Sequence, residues 1–402
     1  MSVVTNMSKD VKQYLIVTGN YWAFTLTDGA LRMLVVLHFH SLGYNALQIA
    51  FLFLFYEIFG VVTNLIGGWL GARFGLNRTM NAGLFLQIVA LAMLFLPTFE
   101  LTIIWVMAAQ ALSGIAKDLN KMSAKSAVKL LVPSNAQGQL YHWVAVLTGS
   151  KNALKGAGFF LGGALLGWLG FKGATLLMAV MLLIILCFSL LSLKADLGRS
   201  QAKPGFTEIF SKSRSVNILS AARLFLFASR DVWFVVALPV YLASVFEWDP
   251  WKVGSFIALW VMGYGVVQGF GPRITSRGAS SIPDGKSAIK WAALLAVSPI
   301  IIVAFLHFDL FASWALVVGL MVFGFLFAVN SSLHSYLIVS YAERSSVSLD
   351  VGFYYMANAL GRLLGTVLSG WLYLEYGLEI CLVVSSLFIL MTTAISTGLP
   401  RQ

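Results

Sequence analysis

Twelve apolar runs, each about long enough to cross a bilayer, limit what this chain can fold into more than any motif does. They cover residues 14–38, 45–70, 79–97, 101–122, 139–168, 172–193, 216–246, 252–271, 287–307, 312–341, 348–374 and 377–397. A hydrocarbon core ~30 Å thick is crossed by about 20 apolar residues at ~1.5 Å per residue in a helix. In lipid every backbone N–H and C=O has to be satisfied within the protein, which a helix does by itself. A closed β-barrel would need short alternating strands, and these runs are longer and uniformly apolar. The expected fold class is an all-α integral membrane protein with 12 transmembrane helices. Composition agrees: of 402 residues 59% are hydrophobic and 11% charged, and the mean hydropathy is +0.85. Residues 1–12 are polar and present no short signal peptide with a small-residue cleavage site, so the first run is expected to be retained as a helix.

The net charge of +11 does not point to nucleic acid. The basic residues lie in short connections and inside apolar runs, not in a solvated stripe interleaved with aromatics. Cys187 and Cys381 sit far apart in apolar runs and read as small packed hydrophobes, not as a disulfide or a metal site. Alternate connections differ in charge. Lys9, Lys12, Arg73, Arg78, Lys125, Lys129, Lys194, Arg199, Lys203, Lys212, Arg214, Arg273, Arg277, Lys286, Lys290 and Arg344 fall on one side. The other side carries mainly His38, His40, Glu100, Glu247, Asp249, Asp309, Glu375 and Glu379, with Lys172 and Lys252 its basic residues. The positive-inside rule places both termini in the cytoplasm.

The longest connection, KADLGRSQAKPGFTEIFSKSRS at 194–215, is polar, contains Pro204 and Gly205, and reads as a linker. It divides the chain into bundles at 1–193 and 216–402, six spans each. This plan resembles the major facilitator superfamily, whose halves rock about a midplane site. The third, sixth, ninth and twelfth runs have no ionisable residue in their interiors, as expected of helices facing lipid in that plan.

Charge inside the remaining runs marks the candidate site, because a charge at mid-bilayer costs roughly 2.5–3.5 kcal/mol unless it faces protein or a wet cavity. The first run carries Tyr21, Asp28 and Arg32, and the second Glu57. Asp28 and Arg32 are four residues apart and can pair on one face; Glu57 is either a partner for Arg32 or, with Asp28, a proton carrier. On the fourth run Lys117 and Lys121 share a face, with Lys117 ~24 Å along the helix and inside the core. Asp118 points off that face. Lys125 and Lys129 lie beyond the run and read as topology signals and lipid-headgroup contacts. The fifth run sets Lys151, Asn152 and Lys155 near its middle, too deep to reach either surface easily, followed by Gly156, Gly158, Gly162, Gly163 and Gly167 as a smooth packing face. The second half adds Arg223, Arg230 and Asp231 in the seventh run, His334 in the tenth, and Asn358 with Arg362 in the eleventh. His334 is either a ligand or a hydrogen-bonded helix contact.

Seven cations in the runs (Arg32, Lys117, Lys151, Lys155, Arg223, Arg230, Arg362) thus face four carboxylates, Asp28, Glu57, Asp118 and Asp231. Such a surplus calls for an anion to neutralise it. Arginine grips a planar oxyanion through two parallel hydrogen bonds and lysine adds a point charge. The reading is a small, multiply anionic substrate, with Lys117, Lys151 and Lys155 holding one oxyanion and Arg230 with Arg362 the other. Lys121 guards the cytoplasmic mouth.

The connection GGWLGARFGLNR resembles the superfamily's cytoplasmic motif through Gly68, Arg73, Gly75 and Arg78, with Ala72 in the aspartate place and Leu76 where the first later basic residue belongs. Longer stretches are more specific. GNYWAFTLTDGALRMLVVLHFH, LFYEIFGVVTNLIGGWLGARFGLNR, ALSGIAKDLNKMSAKSAVKLLVP and LTGSKNALKGAGFFLGG resemble the ArsJ-type organoarsenical efflux permeases. That resemblance implies export of 1-arseno-3-phosphoglycerate across a bacterial inner membrane, with glyceraldehyde-3-phosphate dehydrogenase as functional partner and arsenate resistance as the outcome. The residues themselves leave two other readings open, an organophosphate or sugar-phosphate exchanger and a membrane receptor that binds an anion without moving it. No serine–histidine–acid grouping, metal-ligand cluster or phosphate-cradling loop points to an enzyme or a cofactor.

Overall fold

A computed structural model describes residues 9–44, 49, 52–95, 101–133, 136–193, 197–199, 205, 209–210, 213–248, 250–275 and 283–401. The helices are α1 (Lys9–Ser41), α2 (Leu54–Phe74), α3 (Leu76–Leu94), α4 (Ile103–Leu131), α5 (Gln137–Ser192), α6 (Arg214–Phe234), α7 (Ala237–Ser244), α8 (Pro250–Gly269), α9 (Gly271–Thr275), α10 (Gly285–His307), α11 (Ala312–Tyr341) and α12 (Val347–Ser396). Each of the twelve expected spans is helical over most of its described residues. Two of the helices carry two spans apiece, and the seventh span is divided between α6 and α7.

Local chemistry explains the boundaries. The Thr102 side chain accepts a hydrogen bond from the Trp105 N–H and opens α4, and Asp284 accepts from the N–H groups of Lys286 and Ser287 at the start of α10. Within α5 the backbone turns at Gly170 (φ 67°, ψ −179°), and within α12 at Gly377 (φ 79°, ψ −175°). Only glycine occupies that region without strain, so one residue without a side chain separates two spans in each case.

The chain forms two compact units. The first comprises residues 1–143, 153–211 and 342–356. Its centre is α4, which packs against α1, α2 and α3. The residues of α4 are small or polar where the packing is tightest: Ser113, Gly114, Asp118, Asn120, Ser123 and Ser126 are all buried. A Cβ on Gly114 would lie 2.6 Å from the Tyr56 carbonyl oxygen, so α2 and α4 approach backbone to backbone there. Of the glycines expected to form a smooth face, Gly158 and Gly162 meet the α1 backbone at Leu26 and Ala30, whereas Gly167 faces open space. Phe24, Leu31, Leu34, Leu84, Leu91, Leu182 and their neighbours form the apolar core.

The second unit comprises residues 144–152, 212–341 and 357–402. It is built around α11, which contacts α6, α8, α9 and α10 and is almost wholly buried from Leu326 to Val339. Trp233, Trp260, Leu295, Phe323, Phe327 and Leu382 belong to its core. The spans without interior charge carry exposed apolar side chains, among them Phe85 on α3, Ile184 (64% exposed) and Leu191 (88%) on α5, Val297 on α10 and Leu387 on α12. Six helices of the described residues are long and apolar enough to cross a membrane. Most of the expected linker at 194–215 lies outside the described residues, as do Lys194, Lys203, Lys212, Glu100, Asp249 and Arg277.

Candidate anion-binding clusters

In the first unit the polar network is organised by a residue that sequence reasoning passed over. Tyr56 of α2 donates its hydroxyl to the buried Asp28 carboxylate at 2.8 and 3.0 Å. Its ring stands under two cations, with Lys117 Nζ 3.7 Å and Arg32 Cζ 4.9 Å from the centroid. Such contacts offset part of the cost of desolvating a charge. Arg32 donates to Glu57 Oε1 at 3.0 Å, and the expected Asp28–Arg32 pair is not made. The reason lies in α2: Tyr56 and Glu57 are adjacent, and the first takes Asp28 while the second takes Arg32. Of the two candidate proton carriers, Glu57 is therefore ion-paired and Asp28 is bonded to a neutral hydroxyl. The signal in the sequence was a tyrosine beside the lone carboxylate of an apolar run.

Asp118 corrects a second expectation. It does not point away from the lysines but lies between them, with Lys121 Nζ 2.6 Å and Lys117 Nζ 3.8 Å away. The carboxylate turns back along α4, where Gly60 of α2 leaves room; a Cβ on Gly60 would lie 3.0 Å from Asp118 Oδ2. Lys121 and Lys125 place their ammonium groups 4.8 and 5.2 Å from the Tyr355 ring centroid.

Lys125 is 3% exposed and Lys129 9%, so neither is a lipid-headgroup contact. The segment 342–356 belongs to this unit, and Arg344 donates to the carbonyl oxygens of Leu130 and Val132 at the end of α4. Protein covers the lysines where lipid headgroups were expected. Burial, and then the Arg344 guanidinium, push the Lys129 ammonium down from its ordinary value. Tyr21 is buried, and its hydroxyl has no hydrogen-bond partner among the described residues.

The second unit holds arginines. Arg230 donates to Asp231 Oδ1 through Nε (2.6 Å) and approaches it through Nη2 (2.5 Å), while Arg362 Nε reaches Oδ2 at 3.2 Å. One carboxylate thus joins the two arginines that were expected to act together. Arg223 is buried, donates to Asn358 Oδ1 at 2.8 Å and to the Ser331 carbonyl at 3.4 Å, and stacks on Phe227 at 3.9 Å. Arg230 lies 5.0 Å from the same ring. His334 is fully buried, and among the described residues neither ring nitrogen has a hydrogen-bond partner.

The fifth-span residues divide. Lys151 and Asn152 belong to the second unit, where Asn152 Nδ2 donates to Gln268 Oε1 at 2.5 Å and Gln268 Nε2 donates to the Tyr264 hydroxyl at 2.8 Å. Lys155 belongs to the first unit. Around Gly75, which separates α2 from α3, Arg73 is exposed and stacks over Trp69, Arg78 is exposed, and Ala72 is buried in the aspartate place. Gly68 of that motif packs on Ser348 and Gly352.

Each unit thus gathers cations around a buried carboxylate, and a sequence model described as Major Facilitator Superfamily matches residues 15–309, well over half the chain. The chain belongs to the major facilitator superfamily. Solved structures agree on the fold. The human organic anion transporter MFSD10 (TETRAN) is 18% identical, with 97% of this chain and 100% of that one covered at a TM-score of 0.75. The E. coli fucose:proton symporter FucP is 10% identical, with 97% and 99% covered at 0.74. A bacterial homologue of the iron transporter ferroportin, in an outward-facing state, is 14% identical, with 97% and 99% covered at 0.73. At these identities the likeness is one of fold, the twelve-helix fold of the superfamily. No curated protein sequence matches the chain.

Proposed function

We propose that this major facilitator is an exporter of a small, multiply anionic organoarsenical, 1-arseno-3-phosphoglycerate, working by alternating access of bundles 1–193 and 216–402 about the 194–215 linker. It would sit in a bacterial inner membrane with both termini cytoplasmic and act downstream of glyceraldehyde-3-phosphate dehydrogenase to give arsenate resistance. The observation that carries the anionic class is the gathering of cations on shared carboxylates: Lys117 and Lys121 share Asp118, Arg230 and Arg362 share Asp231, and Arg223 donates to the neutral oxygens of Asn358 and Ser331. A lipophilic cation would want the reverse. Arsenic itself rests on the resemblance of the first-half stretches. The shared fold does not choose a substrate, since it serves an organic anion transporter and a sugar symporter alike.

We assign substrate contact to Lys117, Lys121, Lys155, Arg32 and Tyr21 in the first unit and to Lys151, Asn152, Arg223, Arg230, His334, Asn358 and Arg362 in the second. Asp28, Glu57, Asp118, Arg73 and Arg78 are assigned to coupling and gating. The test is uptake into everted vesicles, comparing the arsenylated glycerate made in situ with 3-phosphoglycerate and phosphate, with and without a proton gradient. The expected result is preference for the arsenylated compound and loss of at least about tenfold in rate, a barrier change of ~1.4 kcal/mol, in Lys155→Gln and Arg362→Gln. Near-normal transport by both variants overturns the assignment. Equal transport of 3-phosphoglycerate would make the protein an organophosphate exchanger, and binding without flux a receptor.

A further inference from the structure

An open cavity of ≈580 Å³ lies in the second unit, where α7 ends and α11 begins, and we propose that it binds the headgroup of an ethanolamine phospholipid. Tyr241 and Phe246 line it from the α7 side; Asp309, Phe311, Ser313 and Trp314 line it from the α10–α11 turn and the first residues of α11. None of these residues belongs to the cation clusters described above, and the site does not depend on what the protein transports. The α10–α11 turn is one of the acidic connections, on the side opposite the basic ones.

The chemistry of the lining is that of a receptor for an ammonium group. Tyr241, Phe246, Phe311 and Trp314 are aromatic, and the faces of such rings attract a cation. Asp309 adds a carboxylate to the same cavity. Its charge and that of Glu379 both act on the Tyr241 hydroxyl, so the α7 side also lies in a negative field. The base beside Glu379, His307 with Nδ1 at 3.4 Å, offsets that field only when it is protonated. Rings take the charge of an ammonium and a carboxylate accepts its N–H groups. A headgroup with phosphate and hydroxyls but no cation would meet repulsion from Asp309 instead.

The surroundings point to a lipid as the source of that ammonium. Phe308 (70% exposed), Phe311 (80%) and Trp314 (72%) stand out at the rim. At the end of a membrane span such rings lie at headgroup level, with acyl chains beside them. The Ser313 hydroxyl, at the same cavity, is a donor for the phosphate that follows the ammonium in the headgroup. The backbone is bent to serve this place. Among the described residues, the non-glycine residues with positive φ are Asp309 and Phe311, both at 50°, and Glu247 at 54°, next to Phe246. A bulky ring is costly in that region, and such strain collects at binding sites. Here it accompanies a turn that sets a carboxylate and a ring, two residues apart, on one cavity. A headgroup seated there bridges α7 and the start of α11.

The test is lipid binding by the delipidated full chain in detergent. Phosphatidylethanolamine, phosphatidylcholine and phosphatidylglycerol with the same acyl chains are titrated, and bound lipid is counted by native mass spectrometry alongside the unfolding temperature. Phosphatidylethanolamine is expected to bind about tenfold more tightly than phosphatidylglycerol and to raise the unfolding temperature. Phosphatidylcholine, which has a cation but no N–H for Asp309, is expected to fall between them. Asp309→Asn and Trp314→Leu each weaken phosphatidylethanolamine by about tenfold and leave phosphatidylglycerol unchanged. Glu375→Gln removes an exposed charge on the same side, outside the cavity, and leaves all three unchanged. Equal binding of the three lipids overturns the proposal, as does wild-type selectivity in both cavity variants. Soluble phosphoethanolamine is run separately, and stabilisation by it equal to that by the lipid overturns the assignment to a lipid. No readout here involves transport, so failure of the anion-export reading leaves these results as they stand.

Discussion

Gly68→Ala isolates the contact on which the first unit's borrowed segment rests. A Cβ built on Gly68 would lie 2.5 Å from the Ser348 carbonyl oxygen and 3.1 Å from the Gly352 Cα, where ordinary contact begins at 3.4 Å. Relief requires a separation of about 0.9 Å (3.4 − 2.5) between α2 and the start of α12, and both obstructing atoms are backbone. Overpacking of this kind costs roughly 1–3 kcal/mol. Alanine also favours a helix over glycine by ~1 kcal/mol, which works in the opposite direction. The control is therefore Gly167→Ala, whose Cβ meets nothing within 4 Å and which gains the same propensity. The difference between the two variants is the clash alone, and we expect Gly68→Ala to be the less stable by 1–3 kcal/mol. The assay is thermal unfolding in detergent, together with maleimide labelling of a cysteine at Ser348, which is 1% exposed, in a background with the exposed Cys187 replaced by serine. Equal unfolding temperatures and unchanged labelling in Gly68→Ala and Gly167→Ala would refute the reasoning.

Two further outcomes are expected. Tyr56→Phe keeps the ring under Lys117 and Arg32 but leaves the buried Asp28 carboxylate without its donor, so stability falls by about 1–3 kcal/mol. Tyr56→Leu removes the ring as well and lowers anion affinity further, a difference that calorimetric titration of the two variants resolves. Alanine at Gly170 or Gly377 places a side chain at φ 67° or 79° with ψ near 180°, at a cost on the order of 1–3 kcal/mol each, which unfolding temperatures check against Gly167→Ala.

The candidate site was legible in kind more than in detail. Lys117, Arg223, Arg230 and Arg362 stood out because a charge inside an apolar run has to be explained by protein, and the structure surrounds each with protein. Tyr56 and Tyr355 did not stand out, since an aromatic residue in a membrane helix is ordinary until a cation is found above its ring. His334 was open between a bonded contact and a ligand, and its spacing in the sequence does not show that among the described residues neither ring nitrogen finds a hydrogen-bond partner.

Periodicity, hydropathy and the placement of charge determine a helical membrane protein, its spans and its cationic character, because lipid requires helices of a set length and penalises each charge whatever its partner. Pairing is another matter. Spacing along α1 permitted Asp28 with Arg32, but adjacent side chains of α2 took both, and spacing along α4 pointed Asp118 away from lysines that it bridges. Lys125 and Lys129 continue the even spacing of Lys117 and Lys121, yet the segment 342–356, distant in sequence, buries them. Partners at hydrogen-bond range come from helices far apart in the chain, and their choice depends on distances of a few ångströms that only the packed structure sets.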